Sequence, residues 1–171
     1  MAHLPRLTPR VADDRLDSAA AGPLVRDLLD ELHTRYGQPD ADPDHLGAPD
    51  LAPPDGAFVV AWLDPAAVGC GGVRRAEPGV GELKRMYVAP AHRGRGVGRA
   101  VLAALEDRAR TIGYERLILE TGVRQPEAVA LYRATGYEQI EPYGFYRGSP
   151  LSVCMAKTLE ALSSGRTAPA G

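Results

Sequence analysis

Apolar residues recur at helical spacing in three stretches of the chain, and alternate or run together in seven others. Leu24, Leu28, Leu32 and Tyr36 stand four apart. Pro23 suits the first helical position and Gly37 a left-handed cap, so a helix is predicted from Pro23 to Tyr36. Val97, Val101, Leu105, Ala109 and Ile112 form the stripe of a second helix, from about Gly96 to Ile112, with Gly113 as its cap. Pro126 opens a third, whose apolar face is Ala128, Leu131, Tyr132 and Thr135 and which Gly136 ends.

Strand patterns fill the space between. Residues 6–12 read as a strand that Pro5 and Pro9 confine to an edge. Ala57–Leu63 and Val68–Arg74 read as a hairpin or meander, and Glu82–Val88 as a third strand stopped by Pro90. Arg116–Glu120 has the near-continuous apolar centre of a buried parallel strand. Tyr137–Ile140 and Leu151–Lys157 close the pattern, the latter alternating Leu151, Val153 and Met155 with Ser152, Cys154 and Ala156. Residues 38–56 hold Pro39, Pro43, Pro49, Pro53 and Pro54 and read as a long loop with one short helical turn. The polar tail from Ser163 is expected to be disordered.

The order is β-α-β-β-β-α-β-α-β-β. Strand, helix and strand across residues 82–121 imply one parallel pair with a right-handed crossover. The expected fold class is α/β: a mixed, mostly antiparallel sheet of about six to seven strands flanked by helices, in a single domain over residues 1–160.

Composition narrows the classes of function. A length of 171 residues fits about one domain and buries a core without disulfides. Twenty basic against 22 acidic residues leave a net charge of −2, which argues against a polycation built for nucleic acid or an anionic membrane. Nineteen Gly and 15 Pro make the chain turn-rich without reaching the composition of a disordered one. Cys70 and Cys154 cannot form a disulfide framework, no apolar run reaches a membrane span, and Met1–Arg6 lacks an apolar leader core. A reduced, cytoplasmic protein is expected. Only Lys84 and Lys157 among the basic residues are lysine, a bias we attribute to GC-rich coding.

The most informative segment runs from Val88 to Arg99, where a strand ends and a helix begins across Gly94, Gly96 and Gly98. Glycines admit positive φ and close approach, and the first helical N–H groups lack internal acceptors. Together they form an anion cradle at the positive end of a helix dipole. Arg93, Arg95 and Arg99 add charge-assisted donors for phosphate. A nucleoside-triphosphate loop is excluded, because no Lys-Ser/Thr follows; a dinucleotide fingerprint is excluded by register, because Arg99 and Val101 stand where its third glycine belongs. The bare alternative is a tight turn with solvated arginines.

Arg93-Gly94-Arg95-Gly96-Val97-Gly98, preceded by Met86-Tyr87-Val88-Ala89-Pro90 and followed about 35 residues later by Leu131-Tyr132-Arg133-Ala134-Thr135-Gly136-Tyr137, resembles the GNAT superfamily of acyl-CoA-dependent N-acyltransferases. The resemblance spans roughly residues 57–158. It implies that the glycine loop holds the pyrophosphate of coenzyme A. It also implies that the parallel pair splays around that cofactor, and that backbone groups of Met86, Tyr87 and Val88 pair with the pantetheine arm as an added strand would. A backbone N–H there would stabilise the thioester oxygen. Tyr132 maps to the tyrosine that protonates the leaving thiolate, its plain alternative being a core residue on an apolar helix face. Many members carry Asn where this chain has Gln125, so Gln125 either contacts the pantetheine arm or caps the helix.

The resemblance implies acetyl-CoA as donor and a primary amine, on a small molecule or peptide, as acceptor. Such an amine is protonated at neutral pH and must lose a proton before it attacks. Glu82, a charge on a strand expected to be central, is the candidate base or water-orienting residue; an ion pair near the strand start is the other reading. Glu120 is a second candidate. The aromatic segment from Pro142 to Gly148 is either a substrate-side wall or an ordinary surface loop. His3, His33, His45 and His92 lack metal-ligand spacing, so no metal is expected, and no Gly-x-Ser-x-Gly elbow occurs. Cys70 and Cys154 read as buried structural thiols and Arg74-Arg75 as a solvated turn. No nucleic-acid or membrane partner is expected; a monomer or a homodimer fits. An N-acetyltransferase is the leading reading, against a non-catalytic acyl-CoA-binding or sensing module and a general nucleotide binder.

Overall fold

The structure, a computed structural model, describes residues 8–37 and 45–161. Residues 6–7, most of the proline-rich loop's first half and the polar tail lie outside the described residues. The elements run β1 (Arg10–Asp13), α1 (Ala21–Tyr36), β2 (Ala57–Leu63), β3 (Ala66–Glu77), β4 (Val80–Val88), α2 (Val97–Ile112), β5 (Arg116–Gly122), α3 (Pro126–Ala134), β6 (Glu138–Ile140) and β7 (Ser152–Thr158).

All seven strands form one mixed sheet in the order β1-β2-β3-β4-β5-β7-β6. Among the described residues only β4 and β5 are parallel neighbours, joined by the α2 crossover, and the other pairings are antiparallel. Apolar stripes decide the layers. Val97, Val101, Leu105 and Ala109 of α2 and Tyr132 of α3 pack one face of the sheet with Val59, Leu83, Leu117 and Met155. Leu24 and Leu28 of α1 cover the other, with Phe58, Val60, Cys70 and Tyr87. The short helical turn expected in the long loop is a 3₁₀ turn over Ala48–Leu51, and Leu51 plugs the α1 side of the core.

Two expectations change. α1 starts two residues before Pro23, because the Ser18 hydroxyl accepts the Ala21 N–H at 3.0 Å and so caps the helix earlier; proline is tolerated anywhere in a first turn. Arg74-Arg75 is no solvated turn. Both residues lie in β3, which runs on to Glu77, and Arg74 is paired with Glu82.

The break in alternation along β4 opens the molecule. Cys70 pairs with Tyr87 and Gly72 with Lys84, so Arg85 and Met86 together oppose Gly71. This is a β-bulge, with Arg85 at φ 58°. Strict alternation would put Leu83 and Met86 on opposite faces, yet both pack on the α2 side, while Tyr87 packs against α1. The bulge bends the strand. β4 pairs with β5 only from Val80 to Glu82, whereas β5 continues to Gly122 on its β7 side. A crevice opens between the parallel neighbours beyond Glu82.

Candidate active site

Two cavities meet in this crevice. The larger, about 890 Å³, is walled by Met86 to Val88, by the loop residues His92 to Gly96 with Gly98 and Arg99, and by one side of α3. The smaller, about 340 Å³, lies between Leu83–Met86 of β4, Glu120–Gly122 of β5, the α1 face at Leu28, Leu32 and Tyr36, and the segment before β7. Leu28, Met86, Gln125, Ala128 and Tyr132 line both.

The glycine loop has the geometry of an anion cradle. Gly94 (φ 73°) and Gly96 (φ 92°) are left-handed, and a Cβ at either would meet nothing within 4 Å, so space stands open above them. Gly96 caps α2 without a side-chain partner, leaving the N–H groups of the first turn for an external acceptor. Two buried nitrogens beside the loop, Arg95 Nε and His92 Nδ1, have no hydrogen-bond partner among the described residues. A diphosphate would supply acceptors for Arg95 Nε and the free N–H groups, so the residues present fit coenzyme A.

The remaining expected cofactor residues separate by what they touch. Arg99 stands exposed at the cavity wall. Arg93 is already engaged: its guanidinium donates to the Val88 carbonyl at 2.8 Å and to Glu31 at 2.7 Å. Glu31 also pairs with Arg35, which reaches Glu127, so an ion network ties α1 and α3 to the loop. Val97 is 1% exposed and its side chain belongs to the core, which leaves its backbone N–H for the cradle. Gln125 lines both cavities. Its side chain does not cap α3 but turns back, Oε1 accepting from the Gly122 N–H at 3.2 Å and from the Tyr36 hydroxyl at 3.3 Å.

Tyr132 stands at the junction, edge-on to Tyr137 with ring centroids 5.6 Å apart. Its hydroxyl hydrogen-bonds to no described residue, and burial raises its pKa well above the ordinary phenol value. The phenol therefore keeps its proton at neutral pH.

Glu82 is the ion pair of the two readings. It is 4% exposed and lines neither cavity. The Arg74 guanidinium donates to Oε1 at 2.8 Å and the Tyr143 hydroxyl to Oε2 at 2.7 Å. Both oxygens of the expected base are thus engaged by donors inside the protein, as a buried carboxylate requires. Glu120 does line the smaller cavity. Of the aromatic segment, Tyr146 and Phe145 form a wall of that cavity, and Tyr143 packs edge-on to Tyr146. Cys70 and Cys154 are free and buried, and burial pushes the Cys70 thiol up to about 12.

Sequence reasoning passed over Thr121, whose hydroxyl is buried and without a partner among the described residues, and the cavity-lining role of the α1 face. No motif marks either. Leu28, Leu32 and Tyr36 carry only a helical period, and which sheet face that stripe meets is a tertiary matter. Among the described residues, no helix is long and apolar enough to cross a membrane.

An α/β sheet opened between its parallel strands, above a glycine-rich helix N-terminus, defines an acyltransferase-type cofactor crevice. The chain belongs to the GNAT acetyltransferase family, whose model matches residues 23–137. An IAA acetyltransferase of Azospirillum brasilense is 43% identical over 138 residues, covering 79% of this chain and 90% of that one. An uncharacterised N-acetyltransferase of Bacillus subtilis, YsnE, is 32% identical over 148 residues, covering 85% and 98%. A solved structure from Klebsiella pneumoniae, provisionally assigned as an acyl-CoA N-acyltransferase, superposes with a TM-score of 0.75 at 33% identity, covering 89% of this chain and 98% of that one.

Proposed function

We propose that this protein is an N-acetyltransferase that moves the acetyl group of acetyl-CoA directly to a primary amine of a small molecule or peptide. The observation that carries this reading is the junction: Tyr132 and Met86 line both the cofactor-side and the acceptor-side cavity. A direct transfer needs the two reactants to meet within contact distance, and these residues flank the place where they would.

In this reading the pyrophosphate is held by the N–H groups at the start of α2, by Arg95 and by Arg99. The free edge of β4 from Met86 to Val88 receives the pantetheine arm, with Gln125 opposite. The bound donor supplies a thioester, whose C–S bond breaks as the N–C bond forms. A backbone N–H of the bulged strand stabilises the negative charge that develops on the carbonyl oxygen. Tyr132 holds a proton at Oη and delivers it to the departing sulfur. Glu120, directly or through water, takes the proton of the acceptor ammonium. Glu82 enters as the partner of Arg74 and neighbour of Lys84 rather than as the base. The name of the Azospirillum relative supports acetyl as the transferred group.

A thermal-shift panel with acetyl-CoA, longer acyl-CoAs, ATP and NAD tests the reading. Acetyl-CoA at one hundred times its Kd adds about 2.7 kcal/mol, or roughly 5–10 °C for a chain of this size. Stabilisation by coenzyme A species alone, followed by amine-dependent thiol release, is expected. No shift with any of them removes the reading.

A further inference from the structure

We infer that Gly71 and Met86 together set how long an acyl group the transfer point accepts: Gly71 is a positioning residue that keeps the Met86 side chain out of the junction between the two cavities. This rests on the acetyltransferase reading and specifies its donor.

β3 carries three glycines in its interior, Gly69, Gly71 and Gly72, where side chains that pack on a pleated surface are the rule. None of the three has a positive φ, so backbone freedom is not what they supply. At Gly71 the reason is space. A Cβ there would lie 2.5 Å from Met86 Sδ, 2.9 Å from Leu105 Cδ1 and 3.1 Å from Val101 Cγ1. Met86 therefore occupies volume that any larger residue at position 71 would claim.

Of these three neighbours, Met86 is the one with room to yield. Val101 and Leu105 are fully buried in the stripe that fixes α2 to the sheet. A packed interior does not absorb an extra methyl group without strain. Met86 is partly buried, and its unbranched thioether turns about three bonds. The space it can turn into is the crevice, because Met86 lines both cavities, as Tyr132 does.

The bulge makes the coupling local. Arg85 and Met86 together oppose Gly71, so Met86 packs on the α2 side at a point where β4 has already parted from β5. Its thioether stands between the core and the open crevice. Seated over Gly71 it leaves the junction open; displaced from Gly71 it takes volume there. In the acetyltransferase reading the acyl carbon meets the amine at this junction, so volume lost or gained beside Met86 is felt by the acyl chain. One methylene too many in an apolar pocket is worth about tenfold or more in discrimination.

Calorimetry tests this through binding alone, with no acceptor needed. Kd is measured for acetyl-CoA and butyryl-CoA with the wild type, Gly71→Ala, Met86→Ala and the double variant. The quantity read is the ratio of the butyryl-CoA Kd to the acetyl-CoA Kd, in which the shared coenzyme A contacts cancel. Gly71→Ala is expected to raise this ratio at least fivefold, and Met86→Ala to lower it at least fivefold. In the double variant the displaced group is gone, so its ratio should match that of Met86→Ala within twofold. Circular dichroism and thermal melts check folding; a general loosening of the core weakens both ligands alike and leaves the ratio unchanged. Should Gly71→Ala not fold, the Met86→Ala ratio decides alone. An unchanged ratio in either folded single variant, or a Gly71→Ala effect that persists without Met86, overturns the inference, while acetyl-CoA binding leaves the acetyltransferase reading intact. No binding of either acyl-CoA to the wild type removes that reading, and the inference with it.

Discussion

The Tyr36 hydroxyl fills the place that a side chain at Gly122 would take: a Cβ built there would collide with the phenol oxygen. The same hydroxyl accepts the Arg124 N–H at 3.2 Å and donates to Gln125 Oε1. The last turn of α1 is thereby fastened to the end of β5, beside the smaller cavity.

Gly122→Ala is therefore expected to destabilise the fold by about 1–3 kcal/mol through overpacking. Shortening Tyr36 as well relieves the clash, so the double variant Tyr36→Ala/Gly122→Ala should lose less than the sum of its parts. A double-mutant cycle in urea measures the coupling.

Tyr132→Phe removes a hydroxyl without a protein partner, so stability and acetyl-CoA affinity should hardly move. Turnover should fall by about 10²–10⁴ if this phenol is the acid. Because burial raises its pKa above the ordinary 10.0, no loss of kcat from its ionisation is expected below about pH 10. Stopped turnover assays across pH 7–10 read both effects.

Arg95→Ala should weaken acetyl-CoA binding by about one to two orders of magnitude, the worth of a charge-assisted bond of about 1.5–3 kcal/mol. Arg93→Ala acts differently. It removes the guanidinium that holds Glu31, so it should lower the melting temperature of the free protein as well as the affinity. Thermal melts with and without ligand separate the two.

Alkaline stability follows from the phenols that burial raises most. Tyr132, Tyr137 and Tyr143 are all raised by burial, with Glu106 and Glu82 adding to the latter two. In the unfolded chain they lose protons near the ordinary 10.0, while the folded protein keeps them. The native state then binds more protons, and stability falls as pH rises above about 10, by up to about 1.4 kcal/mol per pH unit for each phenol. Below pH 10 these groups contribute no slope. Denaturant melts at pH 9, 10 and 11 test the onset, and Tyr137→Phe should flatten the decline.

Local chemistry made much of this protein legible before any fold was in hand. The period of four in Leu24, Leu28, Leu32 and Tyr36, the stripe from Val97 to Ile112, and the glycine-arginine run after Val88 are properties of neighbours in the chain. Helical period, capping and positive φ are decided within a few residues, so they read directly. The place of Tyr132 on the apolar face of α3 is local in the same way.

Contacts between distant segments did not read. Nothing near Glu82 announces that Arg74 and Tyr143 would claim its carboxylate, because those partners arrive from the next strand and from a loop 61 residues away. The bulge at Arg85 depends on the register against Gly71 in the neighbouring strand, and where it occurs β4 no longer pairs with β5 and Met86 lines the crevice. The residues themselves thus specified the elements and the anion cradle, both products of short-range sterics and dipoles. The meeting of two cavities at Tyr132 and the engagement of the Glu82 carboxylate by Arg74 and Tyr143 were decided by tertiary packing, since ion pairing and cavity shape depend on which distant side chains share a space.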